Sequence, residues 1–196
     1  IVRLVGSEMC IRDSSDTFKI IFVGSVTDRK NPKIIIESLE TIDGDVSLEI
    51  IGQTPNLKYL KELNNLISSS KYSERITMTP FIEAEQLISK YASANLFILP
   101  SKSEGLGRVV IEAQATACPV LVSSNTGMVD LIIENETGYI FENNNKNDLS
   151  NKIQYIMNNY ESALQTGLNS KNFIKENQSV ANFEFGYKKL IDLVSI

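Results

Sequence analysis

From Phe18 onward, short apolar runs alternate regularly with amphipathic segments. The runs are rich in β-branched residues and nearly continuous in apolar side chains, which is typical of strands buried on both faces of a parallel sheet. The pattern therefore predicts an α/β fold, a doubly wound parallel sheet of Rossmann-like type. The predicted strands are Phe18 to Val23, Ser47 to Ile51, Arg75 to Met78, Leu96 to Leu99, Val120 to Val122 and Tyr139 to Phe141.

Helices are expected between these strands. They are predicted to begin near Pro32, Pro55, Ala84, Gly107 and Gly127. A further helix is predicted to end near Tyr160, with its N-cap at Asn147 or Asp148. Residues 161–196 also have a helical period.

Residues 1–16 have neither a strand period nor a helix period. We interpret them as a spurious leader, foreign to the domain that follows, and a leftover interdomain linker is the alternative. The remaining residues, 17–196, are then one domain, because a chain of 196 residues with 42% hydrophobic side chains is long enough to bury one core.

Composition excludes several classes of function. The net charge of −5 argues against a nucleic-acid partner, which would require a concentrated basic surface. The chain has no histidine, so the usual general base, the Ser–His and Cys–His nucleophile pairs and the usual zinc ligand are excluded. Two cysteines and the lack of a long apolar run predict a reducing, cytoplasmic location. Any chemistry therefore falls to carboxylates, Lys, Arg or backbone amides.

The loop after the first strand is one candidate ligand site, since ligands of doubly wound sheets bind at the carboxyl ends of strands. Gly24 would let the backbone approach a ligand, and Lys30 could meet a phosphate. An ordinary exposed turn is the alternative, because neither a G-x-G-x-x-G nor a Walker pattern is present.

The loop after the fourth strand is a second candidate. Glu104 and Glu112 flank two glycines here, just where a helix is predicted to begin. The amides of residues 105–107 would then face a phosphate or a sugar oxygen, and each carboxylate could hold a vicinal diol. In the alternative, Glu104 only caps the helix and Glu112 lies on the surface; the apolar neighbours of Glu112 argue against its being a surface residue.

Three other features are interpreted as structural or left open. Asp43-Gly44-Asp45 is predicted to be a turn and not a metal site, and no metal is expected. Cys118 is predicted to be a packed thiol and not a nucleophile. Arg108 could face either a phosphate or solvent.

The segment from Pro100 to Gly107, together with Glu112-Ala113, resembles the E-x7-E motif of retaining GT-B glycosyltransferases of family four, the glycosyl transferases group 1. The resemblance covers about residues 18 to 194 and implies the carboxyl-terminal, donor-binding half of a GT-B enzyme. Other segments that carry it are Phe22-Val23-Gly24 with Lys30, Ile50-Ile51-Gly52, Tyr91 to Asn95, Gly127 and Glu134 to Tyr139.

The resemblance implies a nucleotide-diphospho-sugar site without a cofactor. Lys30 would neutralise the diphosphate, and Glu112 would bind the ribose hydroxyls. Glu104 would hold the sugar and the departing phosphate, which makes Glu104 and Lys30 the expected catalytic residues. Glu104 would be assisted by the amides of Gly105, Leu106 and Gly107.

The resemblance also implies contacts from two other loops. Gly24 and Ser25 would line the first donor loop, and Phe81 and Ile82 would offer backbone contacts to the base. The family usually has arginine in the place of Ser25, so one diphosphate cation is missing, and either Arg29 or Arg108 could compensate for it.

The implied activity is transfer of a sugar from a nucleotide-diphospho-sugar to a glycan or lipid-linked acceptor (EC 2.4), as in polysaccharide biosynthesis. The acceptor would be bound by an amino-terminal domain that residues 17–196 do not contain, so this fragment should transfer sugar poorly. Peripheral membrane association of the full-length enzyme is also implied. Two alternatives are a single-domain nucleotide-sugar-binding subunit that needs a partner chain, and a degenerate, non-catalytic relative, which Ser25 supports.

Overall fold

The computed structural model describes residues 17–177. Its parallel sheet has the strand order β3-β2-β1-β4-β5-β6. Each strand begins and ends within one residue of the bounds predicted from the sequence, because the length of an apolar run is visible in the local sequence. The strands are β1 (Phe18–Val23), β2 (Val46–Ile51), β3 (Ile76–Thr79), β4 (Leu96–Leu99), β5 (Val120–Ser123) and β6 (Tyr139–Phe141).

Helices connect the strands. A short 3₁₀ turn, Ser73–Arg75, precedes β3. A second 3₁₀ turn, Gly127–Leu131, takes the place of the helix predicted near Gly127, since the chain becomes extended again at Ile132. The α-helices are α1 (Pro32–Leu39), α2 (Leu57–Ser69), α3 (Ala84–Ser93), α4 (Arg108–Ala115), α5 (Lys146–Asn158) and α6 (Tyr160–Asn177).

The N-cap of α5 differs from the prediction of Asn147 or Asp148. Asn145 is the cap, and its side chain accepts hydrogen bonds from the N–H groups of Asn147 and Asp148, each at 3.1 Å. Several capping residue types stand in a row here, so composition alone did not identify the one with extended backbone.

Both faces of the sheet are buried. Phe18, Ile20 and Phe22 of β1 pack in the core that includes residues of α1, α2 and α5. Ile21 and Val23, which alternate with them, pack on the opposite face with residues of α3 and α4. This arrangement explains why β1 is apolar at almost every position.

The centre of the sheet positions the candidate site. β1 pairs with β2 on one side and with β4 on the other, with Ile20 opposite Leu96 and Ile21 opposite Phe97. The strand order therefore reverses between β1 and β4. In open α/β sheets the loops at the carboxyl ends diverge at such a point and leave a crevice for ligands.

Two predicted segments lie outside the described residues: the leader, residues 1–16, and the end of the carboxyl-terminal helix, residues 178–196. Among residues 17–177, no helix is both long and apolar enough to cross a bilayer.

Candidate functional site

The loop after β1 begins at Gly24, which has a φ of +147°. The N–H of Gly24 donates to the carbonyl of Ile51 at 2.9 Å, so the chain stays close to β2 beyond the strand itself. A Cβ on Gly52 would lie 1.9 Å from the carbonyl oxygen of Gly24. Only glycine at position 52 lets these two backbones approach in this way.

The loop ends at Lys30, just before α1. Asn31 follows with a φ of 52°, a left-handed conformation that asparagine tolerates, and Pro32 occupies the start of the helix. The side chain of Lys30 is only 13% exposed. Lys30 therefore ends the loop after β1 with its side chain largely out of contact with solvent.

The loop after β4 is joined to the loop after β1. The N–H of Lys102 donates to the carbonyl of Arg29 at 2.8 Å, and Lys102 Nζ pairs with Asp28 Oδ1 at 2.7 Å. The same loop is held from the β5 side, because the N–H of Gly127 donates to the carbonyl of Glu104 at 2.8 Å. A Cβ on Gly127 would lie 2.1 Å from the carbonyl oxygen of Gly105.

These contacts bring the two predicted catalytic residues together. Lys30 Nζ and Glu104 Oε2 form an ion pair, and each of the two side chains is 13% exposed. Arg29 Nη1 lies 3.4 Å from the same Glu104 oxygen and donates to the carbonyl of Ser103 at 2.9 Å. Two cations therefore face one carboxylate, which leaves a local excess of positive charge suited to an anionic ligand.

The predicted amides lie beside this pair, at the amino end of α4. Gly105 and Leu106 are exposed, and no atom lies within 4 Å of the position that a Cβ on Gly105 would occupy. Gly107 is instead buried, and a Cβ there would lie 2.8 Å from Leu99 Cδ2. The glycine at 107 thus serves packing, whereas the open space lies at Gly105.

Glu112 is exposed, in the second turn of α4. Its buried neighbours Val110 and Ala113 lie on the inner face of the helix, so the expectation that apolar neighbours would keep Glu112 off the surface was wrong. One oxygen, Oε2, accepts a hydrogen bond from the hydroxyl of Tyr91 at 3.3 Å. Sequence reasoning noted Tyr91 only as part of a family segment and missed this contact, since nothing in the local pattern links α3 to α4.

The remaining predicted residues lie at the same edge of the sheet without a contact to Glu104. Ser25 is exposed after β1, Phe81 is 65% exposed after β3, and Ile82 is half-buried. Of the two arginines proposed to compensate for Ser25, Arg29 is the one that contacts Glu104, whereas Arg108 is exposed at the start of α4.

The features interpreted as structural are in structural positions. Cys118 is buried, as predicted. Asp43, Gly44 and Asp45 lie in the loop between α1 and β2, and Asp45 pairs with Arg75. Among residues 17–177 no group of three or more His, Cys, Asp or Glu side chains could hold a metal ion.

Comparison with known proteins identifies the family. The family model for glycosyl transferases group 1 matches residues 11–173. The chain belongs to this family.

The relatives of this chain within the glycosyl transferases group 1 family include bacterial and archaeal proteins. It is 32% identical over 151 residues to the capsular polysaccharide biosynthesis glycosyltransferase CapM of Staphylococcus aureus, covering 74% of this chain and 38% of CapM. It is 30% identical over 158 residues to the uncharacterized glycosyltransferase MJ1178 of Methanocaldococcus jannaschii, covering 80% of this chain and 43% of MJ1178. The chain thus spans less than half the length of these curated relatives.

Solved structures of other proteins superpose on this chain and have the same fold. The structure of Anabaena Alr3699/HepE in complex with UDP and glucose superposes with a TM-score of 0.82 at 19% identity, over 93% of this chain and 50% of HepE. The C-terminal domain of the glycosyl transferase group 1 family protein LpcC from Francisella tularensis gives a TM-score of 0.77 at 21% identity, over 83% of this chain and 87% of that domain. The predicted Rossmann-like fold, that of the C-terminal half of a GT-B glycosyltransferase, is therefore confirmed.

Proposed function

We propose that this glycosyl transferases group 1 chain is the donor-binding half of a retaining glycosyltransferase that moves a sugar from a nucleotide-diphospho-sugar to a glycan or lipid-linked acceptor. The observation that carries this proposal is the Lys30–Glu104 pair, formed by residues 74 positions apart where the strand order reverses. The pair holds the Lys30 ammonium, on a side chain that is 13% exposed, at the carboxyl ends of the central strands, where a diphosphate can bind to it.

The surroundings of the pair support a diphosphate ligand. Lys30 and Arg29 supply two cations, and the amino end of α4 adds the positive end of a helix dipole beside the open space at Gly105. When the bond between sugar and phosphate breaks, negative charge grows on the leaving diphosphate. Cations and amides that are already in place stabilise that charge without a metal ion.

The two carboxylates are assigned to the sugar hydroxyls. Once a diphosphate takes Lys30, the oxygens of Glu104 become acceptors for the transferred sugar. Glu112 is assigned to the ribose, since its exposed carboxylate lies on α4, eight positions beyond Glu104 in the preceding loop. Ser25 and the backbones of Phe81 and Ile82 complete the proposed donor site at the same edge.

Relatives support the substrate class. HepE is bound to UDP and glucose, and CapM is named for capsular polysaccharide biosynthesis. We assign the acceptor to an amino-terminal domain of the GT-B architecture, so the 196-residue chain by itself should bind donor and transfer sugar slowly. The cytoplasm, at the inner face of the membrane, is the proposed location.

The test is ligand-dependent thermal unfolding of the 196-residue chain with UDP, GDP and ADP, in EDTA throughout. A nucleotide at 100 times its Kd should stabilise the fold by about 2.7 kcal/mol, which raises the Tm by about 5–10 °C for a domain of this size. Lys30→Ala should weaken binding of the active nucleotide at least tenfold, because it removes a charge-assisted contact to phosphate.

Lys90→Ala is the matched control. Lys90 of α3 forms an ion pair with Glu49 of β2 at 2.8 Å, and neither residue belongs to the loops after β1 and β4. This variant should keep the full nucleotide-dependent shift in Tm. An undiminished shift in Lys30→Ala would contradict the proposed role of Lys30. Wild-type protein that responds to none of the three nucleotides would instead favour the degenerate relative that Ser25 suggests.

A further inference from the structure

Tyr91, a residue of the core, contacts the carboxylate of the exposed residue Glu112. Its side chain is 1% exposed, and its ring packs edge-on against Phe97 with centroids 5.7 Å apart. The hydroxyl donates to Glu112 Oε2 at 3.3 Å across 21 positions of sequence. A rigid, buried donor on α3 therefore contacts a long, exposed acceptor on α4.

This contact has a consequence for the geometry of the carboxylate. An exposed glutamate samples several rotamers and loses that freedom when it binds a ligand. A hydrogen bond from a fixed phenol restricts the rotamers in advance, and it occupies only part of the acceptor capacity of the carboxylate. The other oxygen, Oε1, stays available for ligand hydroxyls.

Tyr91 stays a donor at neutral pH. Burial raises the pKa of the Tyr91 hydroxyl well above its ordinary value, and the nearby charge of Glu112 raises it further. The phenol is therefore protonated under any condition in which a glycosyltransferase would be assayed, and it cannot compete with a ligand as an anion.

We propose that Tyr91 is a positioning residue of the donor site, whose buried hydroxyl holds the Glu112 carboxylate in the orientation that accepts the ribose hydroxyls. This inference rests on the proposed function, because it takes Glu112 as the group that binds ribose. It adds a residue whose effect reaches the ligand only through Glu112.

The test compares ribonucleotides with analogues that lack the hydroxyls. Calorimetric Kd values are measured on the 196-residue chain for UDP, GDP and ADP and for their 2′,3′-dideoxy counterparts. Tyr91→Phe should weaken binding of the ribonucleotide by roughly 3- to 10-fold, the scale of one hydrogen bond. It should leave Kd for the dideoxynucleotide unchanged, because that ligand has no hydroxyls for Glu112 to accept from.

Two further variants separate positioning from packing. Glu112→Ala should weaken binding of the ribonucleotide, and adding Tyr91→Phe to it should have no further effect, since the two residues act as one unit. Tyr139→Phe is the matched control: Tyr139 is also buried, and its hydroxyl pairs with Thr166 Oγ1 of α6 at 3.3 Å instead of with either glutamate. This control should bind both classes of nucleotide as the wild type does.

The outcomes distinguish the two proposals. Equal weakening of both nucleotide classes by Tyr91→Phe would show a merely structural role and overturn the inference. No effect of Tyr91→Phe, where Glu112→Ala weakens ribonucleotide binding, would overturn the inference alone. No effect of Glu112→Ala would overturn the ribose assignment of the proposed function, and the inference with it.

Discussion

Single residues decide where the loop after β1 places positive charge. Ser25 stands where the family pattern has arginine, and it is exposed. Arg29, four positions later, lies 3.4 Å from Glu104 Oε2 and is anchored on the carbonyl of Ser103. A cation of the loop after β1 therefore lies beside Glu104, although position 25 itself supplies none.

This placement predicts different effects for two arginines. Arg29→Ala should weaken nucleoside diphosphate binding by about 3- to 10-fold, because one of two cations beside Glu104 is lost. Arg108→Ala should change Kd less than about twofold, in line with the small effect of an exposed charge without an ideal partner. Titration of both variants at equal ionic strength is the measurement, and a larger loss in Arg108→Ala would reverse the assignment.

Glycines at the site differ in what surrounds them. Gly127→Ala should lower the free energy of unfolding by about 1–3 kcal/mol, because backbone must shift to admit the new methyl group. The clash is with the carbonyl oxygen of Gly105, 2.1 Å from the added Cβ. Gly105→Ala meets open space and should stay within about 0.5 kcal/mol of wild type. Urea denaturation midpoints measure both, and similar midpoints would contradict the prediction.

At the scale of elements, strands and helices were predicted with different accuracy. A strand in this fold is a run of apolar residues, so its bounds are visible in composition. The start of a helix depends on which polar residue has an extended backbone and accepts hydrogen bonds from the unpaired N–H groups of the first turn. Asn56 does this for α2, accepting from the N–H groups of Lys58 and Tyr59. The helix therefore begins at Leu57, two residues after the predicted start near Pro55.

The cap of α5 offers a test at this scale. Asn145→Ala should lower the free energy of unfolding by about 1 kcal/mol, since it removes the acceptor for two N–H groups. Asn147→Ala changes an exposed residue in the first turn and should be within about 0.5 kcal/mol of wild type. Equal losses in chemical denaturation would mean that the cap lies elsewhere.

At the scale of the whole molecule, the free energy of unfolding should fall at alkaline pH because of four buried or partly buried tyrosines. Burial raises the pKa of Tyr59 from 10.0 to about 12, and burial also raises the pKa values of Tyr72, Tyr91 and Tyr139. As pH rises, the tyrosines of the unfolded chain lose their protons at lower pH than those of the folded chain. The contribution of these groups to the stability of the fold is therefore complete below pH 10 and is lost as pH rises through the folded pKa values.

The predicted loss can be assigned to one residue. Tyr59 should account for about 1–2 kcal/mol of the stability lost between pH 8 and pH 11. Tyr59→Phe has no proton to release, so its stability should fall by that much less over the same range. Denaturant unfolding at both pH values measures the difference, and parallel losses in variant and wild type would contradict the raised pKa.

Local sequence alone determined the strands, the approximate positions of the α-helices and the candidate loops. The spacing of apolar residues distinguished strands from helices, and glycines and glutamates indicated the candidate loops after β1 and β4. Both signals depend only on neighbours within a few positions of sequence. The roles assigned to Lys30, Glu104 and Glu112 from family resemblance remain predictions.

Only the tertiary structure decided which side chains meet. Strand order placed β1 beside β4, so Lys30 and Arg29 reached Glu104 across more than 70 positions. Packing of α3 near α4 gave Glu112 its partner Tyr91 and turned Glu112 itself outward. The physical reason is that a periodic pattern fixes which face of an element is buried, whereas the neighbour of a side chain depends on how distant elements pack against each other.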